Sequence, residues 1–216
     1  TYEGKGGVPL SFFRKLLFAA RFGSVTILLA NEITDESRIL YYRTVRERVA
    51  RIAPFARIEG DPYLVITPEG RLVWFVDGYT MTDRFPYSEP MKNVGNYIRN
   101  SFKAVVDAYD GTVQLYVSDE TDPILQTYAK IFPGVFRPLA EMPEPLQKHI
   151  RYPGGMLGIQ AHVYRAYHMQ DPQVFYNKGD LWAIPGRSGR SGEQEMDPYY
   201  TIMKLPGEKH PEFIQM

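Results

Sequence analysis

The chain has 216 residues, of which 44% are hydrophobic and 23% are charged, close to the averages of globular proteins, so a fully disordered chain is excluded. Its 25 lysine and arginine residues balance its 25 aspartate and glutamate residues, which removes the overall basic field that favours nucleic acid, and we expect no nucleic-acid partner. There is no cysteine, so disulfides, thiolate zinc sites and cysteine nucleophiles are excluded. The length predicts a single domain over residues 1–216.

The apolar stretches of the sequence are too short or too charged to span a bilayer. The best candidate, residues 12–30, contains Arg14, Lys15 and Arg21 and lacks the roughly 20 uninterrupted apolar residues that a spanning helix requires. The chain starts at Thr1 and not at Met, so we expect a processed or excised segment whose targeting signals lie elsewhere.

Helical spacing of apolar residues predicts two helices in the first quarter of the chain. The first covers residues 11–22, and the run 25–30 that follows is interpreted as a short buried strand, although it also fits a helical segment. The second helix is predicted to begin at Thr34 or Asp35 and to stop at Pro54. Its apolar stripe comprises Tyr42, Val45, Val49 and Ile52. Its basic surface, which we expect to pair with nearby acids or alternatively to meet phosphate groups, comprises Arg38, Arg43, Arg46, Arg48 and Arg51.

Two hairpins are predicted in the middle of the chain. The first joins strands 63–67 and 71–77 through Pro68-Glu69-Gly70, and the second joins residues 98–108 to 112–117 through Asp110-Gly111. Residues 78–95 between them form a predicted long connection. Long irregular connections are usually functional or covered by a neighbour, so this segment is a candidate site.

The second half of the chain contains helix start signals and a glycine-rich segment. Thr121 or Asp122, followed by proline, predicts one helix, and Asp171-Pro172 predicts another. A proline-rich stretch leads to a short helix ending near His149, and a longer helix is predicted over residues 155–169. The sequence GRSGRSG at 186–192 predicts a flexible loop, and residues 199–205 alternate as a strand. The elements together predict an α+β fold with a mainly antiparallel sheet built from hairpins and several packed helices.

No established catalytic template is present. The sequence GKGG at residues 4–7 lacks the serine or threonine of a phosphate-binding loop, and neither a G-x-S-x-G elbow nor an H-E-x-x-H motif occurs. Carboxylates crowd the second hairpin and the helix after it, which raises the hypothesis of a calcium site, but their spacing matches no EF-hand loop. These carboxylates are Asp107, Asp110, Asp119, Glu120 and Asp122. Structural roles explain most of them, since Asp110 lies in a turn and Asp122 caps a helix. We therefore expect neither a metal site nor a cofactor.

The histidines offer a second candidate site. His162 and His168 lie six residues apart on a predicted helix, so their directions differ by about 120° and they do not chelate one ion. His149 and Arg151 lie beside Tyr152 and form, with His168 near Asp171, a possible polar site for an anionic group.

The ligand-binding hypothesis joins this group to the long connection. Arginine supplies a charged planar fork that suits phosphate or carboxylate, and irregular segments on a rigid scaffold often carry binding residues. The candidate residues are Arg84, Tyr87, Arg99, His149, Arg151 and His168. The alternative is that the arginines pair internally with Asp77, Asp83 or Asp171 and only fix the connection.

Blocks of sequence distributed along nearly the whole chain resemble a known family. They include DPYLVI (61–66), LVWFVDGYT (72–80), NYIRNSFKAVVDAYDG (96–111), HIRYP (149–153), YHMQDPQVFYN (167–177) and PYYTIMKLPG (198–207). In their order and number these blocks are similar to uncharacterised protein family 0182.

The resemblance implies a location and not a mechanism. It implies that the chain is part of the soluble region of a large bacterial membrane protein, at the cell membrane on the extracytoplasmic side. It also implies that transmembrane helices precede this segment and are its partner, and that the soluble region continues beyond Met216. No catalytic residue is carried over from the family.

Three functional hypotheses follow. The leading one is a non-enzymatic extracytoplasmic module that binds an envelope lipid, a glycan or a partner protein. The alternative is a hydrolase-type enzyme acting on envelope lipid or glycan, with Asp77 or Asp107 as general base and His149 or His168 as acid. The third is a scaffold that oligomerises the membrane protein.

Overall fold

A computed structural model describes Gly4, residues 6–189 and residues 192–216. The chain is organised as two compact units. The first comprises Thr1–Ile58 and Pro62–Lys148, and the second comprises Glu59–Asp61 and His149–Met216. Both units combine helices with mostly antiparallel strand pairs, so the α+β prediction is confirmed. The interpretation of residues 1–216 as one domain stays a prediction.

The first unit begins with a strand and two helices. Strand β1 (Val8–Pro9) leads into helix α1 (Phe12–Phe22), which Ser11 caps by accepting a hydrogen bond from the Arg14 N–H at 3.4 Å. The predicted first helix is therefore confirmed. The strand interpretation of residues 25–30 is wrong, because the chain forms the single helical turn α2 (Thr26–Leu29).

The second predicted helix begins ten residues later than expected. Strand β2 (Arg38–Ile39) pairs with β1, and Tyr42 has a φ of 52°, which a right-handed helix does not accept. Helix α3 (Val45–Ile52) therefore starts after Thr44, and it ends before Pro54 as predicted.

The arginines of this region contact mainly carbonyl groups of the first unit. Arg38 donates to the Gly6 and Gly7 carbonyls, and Arg48 donates to the Gly111 carbonyl at 3.0 Å. Arg51 lies 3.9 Å from Glu47, which is the local acid pairing that the sequence predicted.

A six-stranded sheet forms the centre of the first unit, in the order β3-β5-β6-β7-β8 with β4 also paired to β5. The strands are β3 (Arg57–Ile58), β4 (Tyr63–Ile66), β5 (Leu72–Thr82), β6 (Tyr97–Asp107), β7 (Val113–Val117) and β8 (Phe136–Pro138). All neighbouring strands are antiparallel except β7 and β8, which are parallel.

Both predicted hairpins are confirmed. Thr67 and Gly70 close the first turn through a 2.8 Å backbone hydrogen bond, and Gly70 has a φ of 78° that suits glycine. In the second turn, the Gly111 N–H donates to the Asp107 carbonyl at 2.9 Å and the φ of Gly111 is 69°.

The long connection is shorter than predicted, because β5 extends to Thr82 and β6 begins at Tyr97. Residues 78–82 belong to a strand and not to a loop. The pairing register shifts between Gly78 and Tyr79, and a Cβ atom at Gly78 would collide with the Phe102 ring. In a sequence, glycine often indicates a loop. Gly78 instead lies within the sheet, where its missing side chain makes room for the Phe102 ring.

The main core of the first unit lies between the sheet and two helices. These two helices are α3 and α4 (Pro123–Ile131), and α4 follows Asp122, which confirms its predicted start. Helix α5 (Glu144–Gln147) comes later, after a 3₁₀ turn at Leu139–Glu141. The buried cluster comprises Val49, Ala53, Val76, Phe102, Ala104, Val106, Leu115 and Leu125. The core therefore fixes α3 and α4 on one face of the strands.

The second unit contains two helices and two strand pairs. Helix α6 (Gly154–Tyr164) ends five residues before the predicted end, and helix α7 (Pro172–Asn177) has the predicted cap at Asp171. Strand β11 (Tyr200–Met203) confirms the predicted strand and pairs with the unpredicted β12 (Glu212–Gln215). Strands β9 (Gly186–Gly189) and β10 (Gly192–Glu195) replace most of the predicted 186–192 loop, of which residues 190 and 191 lie outside the described residues.

Candidate functional site

The first group of candidate residues, Arg84, Tyr87 and Arg99, lies in the first unit. Arg84 and Tyr87 are exposed on the connection between β5 and β6, and the Arg84 Nε lies 3.9 Å from an Asp83 carboxylate oxygen. Arg99 lies on β6, with its Nε 3.8 Å from Asp119. Exposed ion pairs of this kind contribute at most about 1 kcal/mol, so both guanidinium groups can exchange these contacts for a ligand.

The connection is braced by one amide side chain. Asn96 accepts a hydrogen bond from the Phe85 N–H at 3.0 Å and donates to the carbonyls of Phe85 and Ser88 at 2.7 and 3.1 Å. The Phe85 ring also stacks on Tyr97, with centroids 5.3 Å apart. Arg84 and Tyr87 therefore project from a loop whose two ends are tied together.

A buried carboxylate lies at the start of α4. Asp122 is fully buried, and its Oδ2 accepts hydrogen bonds from the hydroxyls of Thr80 at 2.6 Å and Ser101 at 2.7 Å. Its Oδ1 accepts from the Tyr97 hydroxyl at 2.8 Å. Two backbone N–H groups of α4 also donate to this carboxylate, at 3.1 and 3.2 Å. One side chain thus joins β5, β6 and α4.

The hydrogen bonds set the protonation state of this cluster. Burial by itself would raise the pKa of Asp122, but the hydrogen bonds from Thr80, Ser101 and Tyr97 stabilise the charged form and leave the pKa below the ordinary value. Burial, and then the bond to Asp122, raises the pKa of Tyr97 to about 12. The Tyr97 phenol therefore stays protonated and donates at neutral pH.

Asp77, a general base in the enzyme hypothesis, forms a buried ion pair. It lies opposite Lys103 on neighbouring strands, and the Lys103 ammonium donates to its Oδ1. Asn100 donates to the same oxygen at 3.1 Å. The position thus joins two strands, and one carboxylate oxygen already accepts two hydrogen bonds, one of them from a buried ammonium group.

Asp107, the other proposed base, is bound by an arginine and by its own turn. Arg71 donates to Asp107 and, at 2.8 Å, to Asp110, while the Asp107 Oδ1 accepts from the Tyr109 N–H at 2.9 Å. Burial would raise the pKa of Asp107, but the Arg71 guanidinium and the turn N–H groups leave the pKa below the usual value. A general base needs a pKa near the working pH, so this shift opposes that role.

Asp107→Asn should make the stability of the first unit less sensitive to acid. Because the folded pKa of Asp107 lies below its unfolded value, the charged carboxylate contributes stability above about pH 4, and this contribution is lost as the pH falls through the folded pKa. We expect Asp107→Asn to lower the unfolding free energy by roughly 1–2 kcal/mol at neutral pH and by less at about pH 3. Urea titrations at both pH values measure the difference.

The exposed carboxylate Asp83 offers a control for the removal of one negative charge, as Asp83→Asn. A loss on Asp107→Asn that is the same at both pH values would contradict the linkage to Asp107.

The second group of candidate residues, His149, Arg151 and His168, lies in the second unit. His149 is exposed. The Arg151 guanidinium lies 5.3 Å from the Tyr200 ring centroid and 5.2 Å from that of Phe213, and these two rings stack on each other. Arg151 thus makes cation–π contacts with both members of the β11–β12 pair.

His168 lies in a polar and aromatic setting. Its Nε2 is 3.3 Å from the Asp180 carboxylate, and its ring stacks on Trp182 with centroids 4.2 Å apart. Its Nδ1 is buried and has no hydrogen-bond partner among the described residues. The carboxylate expected beside it, Asp171, instead accepts the N–H groups of Gln173 and Val174 at 2.8 and 3.0 Å as the cap of α7. A joint site formed by both groups of candidate residues stays a prediction.

The second unit also carries exposed aromatic side chains at the end of α6 and in the segment after it. Tyr164 and Tyr167 stack at 6.1 Å, the Phe175 ring meets Tyr167 edge to face at 6.0 Å, and the backbone N–H of Trp182 donates to the Arg165 carbonyl. We call this set, with Tyr176, the aromatic surface: Tyr164, Tyr167, Phe175, Tyr176 and Trp182. Their exposed fractions range from 42% to 86%.

A small cavity of about 170 Å³ opens in the first unit. Its lining comprises Val117, Asp119, Glu120, Leu125, Gln126 and Ala129. Pockets for drug-sized ligands usually measure about 300–1,000 Å³, so this cavity accepts only a smaller group. Across the described ranges, no three histidine, aspartate or glutamate side chains converge as a metal site would require.

Comparison with known proteins places the chain in a family. The model of an uncharacterised protein family, UPF0182, matches residues 1–216. The chain belongs to UPF0182. A UPF0182 protein of Geobacter sulfurreducens is 57% identical over 215 residues, which make up 99% of this chain and 24% of the relative. A relative from Geotalea uraniireducens is 55% identical over 215 residues, which are 99% of this chain and 24% of the relative. One from Pelotomaculum thermopropionicum is 54% identical over 215 residues, which are 99% of this chain and 23% of the relative.

This UPF0182 chain spans about a quarter of the length of those relatives. No solved structure matches it. Within the part of the chain that the structure describes, no helix is both long enough and apolar enough to cross a membrane.

Sequence reasoning about this UPF0182 chain missed several residues of the two sites. Asn96 and Tyr97 precede the predicted β6 strand, and no local motif indicates that one braces the connection while the other binds Asp122. Trp182 was not predicted either. The signal in the sequence was its residue type, because the chain has only 2 tryptophans and tryptophan is enriched at interfaces.

Proposed function

We propose that this chain is an interaction module, without catalysis of its own, that serves a bacterial integral membrane protein on the extracytoplasmic side. The aromatic surface carries the proposal. Its tyrosine, phenylalanine and tryptophan rings are exposed and partly stacked on one another. Aromatic side chains are enriched at interfaces because they offer a large, rigid contact area at low entropic cost, and tyrosine and tryptophan are frequent hot spots.

The carboxylates of the first unit support binding over turnover. Asp77 is paired with Lys103, Asp107 with Arg71, and Asp122 with three hydroxyl groups. These contacts stabilise the fold and leave the proposed general bases engaged. We therefore assign these acids to the stability of the first unit and assign binding to the aromatic surface.

The proposed location and first partner come from the family resemblance. That resemblance implies that the chain is part of a large bacterial membrane protein, so the transmembrane region is proposed as the first partner and an envelope lipid, glycan or protein as the second. The relatives are about four times as long as this chain, which leaves ample sequence for a membrane region.

The location can be tested with a single cysteine, because the 216 residues contain none. We expect Ser88→Cys in the full-length protein, at an exposed position, to react with a membrane-impermeant maleimide in intact cells. The unsubstituted full-length protein controls for cysteines elsewhere. Labelling only after permeabilisation would place this segment on the cytoplasmic side and end the proposal.

The interaction can be tested at Tyr176, the most exposed member of the aromatic surface. A photoreactive phenylalanine analogue at this position of the full-length protein should give a discrete cross-linked product in native membranes. Tyr164→Ser should lower the yield about tenfold, as expected for a residue near a hot spot. The analogue at Tyr109, which is exposed in the first unit, is the matched control. Equal products from both positions would contradict the assignment.

A further inference from the structure

Helices α1 and α2 present apolar side chains outward. Phe12 and Leu29 are exposed over 78% and 75% of their surface, and their apolar neighbours over 47% to 64%. We call this set the α1–α2 face: Phe12, Phe13, Leu16, Leu17, Val25 and Leu29. Contiguous apolar surface of this kind marks an interaction site in soluble proteins.

Helix α1 exposes its apolar side, whereas an ordinary surface helix buries that side against the core. At 3.6 residues per turn, the exposed residues from Phe12 to Leu17 fall within an arc of about 140°. The Phe18 ring, on the opposite side of α1, lies 5.5 Å from the Tyr41 ring, and Ala19, at the edge of the arc next to Phe12, is buried. The Lys15 Nζ also donates to the Ile33 carbonyl at 2.8 Å. The apolar arc therefore remains outward while the helix is held in place.

The charged residues on α1 and α2 themselves have one sign. Residues 6–30 contain no aspartate or glutamate and three basic residues, Arg14, Lys15 and Arg21. Lys15 lies 3.7 Å from Asp35, but Arg14 and Arg21 are exposed and fall beside the apolar arc on the helical wheel. Arg14 contacts the Pro9 carbonyl, and the Arg21 guanidinium lies 5.8 Å from the Tyr42 ring centroid. Both keep a full positive charge at the border of the apolar surface.

We infer that the α1–α2 face lies on the surface of a lipid bilayer that contains anionic phospholipids. The phenylalanine and leucine side chains enter the boundary between head groups and acyl chains, and Arg14 and Arg21 bind lipid phosphates. Phenylalanine and leucine on one side of a helix with basic residues beside them are the features of helices that lie in a membrane interface. Residues 6–30 contain no acidic residue, which reduces the repulsion that anionic lipid would otherwise meet, and the first carboxylate after this segment is that of Glu32.

This inference goes beyond the proposed function, because it assigns a second surface, in the first unit, with a different partner. The aromatic surface can fail to bind a partner while the α1–α2 face still binds lipid, and the reverse also holds. The two experiments therefore fail separately.

The test is flotation of the 216-residue chain with vesicles made of equal parts of phosphatidylglycerol and phosphatidylcholine, compared with vesicles of phosphatidylcholine alone. We expect the chain to float with the anionic vesicles and much less with the neutral ones. Phe12→Ser with Phe13→Ser should lower the partition coefficient about tenfold or more, because two inserted rings are lost. Arg14→Gln and Arg21→Gln should each lower it about fivefold, and added salt should reproduce their effect.

The matched control removes two exposed apolar residues of the first unit outside the face, as Ile66→Ser with Ile131→Ser, and should bind like the unsubstituted chain. Circular dichroism checks that every variant is folded, and the arginine variants test the inference even if the phenylalanine variant is not. If the unsubstituted chain fails to float with anionic vesicles, or floats equally after the phenylalanine substitutions, the inference is wrong. In that event a protein segment or a second copy covers the face, which cross-linking and sedimentation would detect.

Discussion

Replacing Asp122 by alanine is expected to lower the unfolding free energy of the first unit by about 3–5 kcal/mol. The substitution removes an acceptor that serves Thr80, Ser101 and Tyr97, all within 2.8 Å, and Thr80 and Ser101 are fully buried. It also removes the cap of α4. Hydrogen exchange of the amides in β5, β6 and α4, read as local unfolding free energies, measures the loss.

The chain contains its own control for this prediction. Asp171 caps α7 with the same two types of backbone hydrogen bond and is followed by proline, but it is exposed. Asp171→Ala should therefore cost only about 1 kcal/mol of helix stability, the usual contribution of a cap. If the two substitutions have equal effects, the hydroxyl cluster around Asp122 contributes nothing beyond capping, and the prediction is wrong.

Replacing Lys103 by methionine is expected to lower the unfolding free energy by a similar amount, about 3–5 kcal/mol. Methionine preserves much of the length of the side chain but leaves the Asp77 carboxylate buried without its ammonium partner. Asn100 still donates to that carboxylate but does not neutralise it. Urea unfolding, followed by circular dichroism, provides the measurement.

A second substitution separates the ion pair from simple packing. In the double variant Asp77→Leu with Lys103→Met no buried charge remains at these two positions, so we expect most of the stability to return. Losses that simply add in the double variant would show that the two side chains act independently, contrary to the prediction.

Elements with their own local chemistry could be predicted from the sequence. The Asp110-Gly111 turn requires a positive φ that glycine accepts, and Asp122 and Asp171 precede prolines at helix starts, so these features formed where they were predicted. The first part of the second predicted helix was wrong, because Arg38 and Ile39 pair as a strand with β1, about 30 residues earlier in the chain, and Tyr42 has a positive φ.

For the candidate site too, the sequence predicted residue types, but the fold decided which residues they contact. Arginine chemistry selected Arg84, Arg99 and Arg151, but their neighbours depend on which strands lie side by side: Arg99 lies near Asp119, and Arg151 lies against the β11–β12 pair. The partners of Asp122 include Thr80, which is 42 residues away. No periodicity within one segment encodes such a contact.

The sequence by itself determined the turns, the helix caps, the mainly antiparallel α+β class and the family, because each depends on local backbone preference or on the order of sequence blocks. Only the tertiary structure decided that Gly78 belongs to a strand, that Asp77 and Asp122 are buried with their partners, and that the apolar side of α1 faces outward. Helical periodicity identifies an apolar side but not what covers it, since coverage depends on packing between segments distant in sequence.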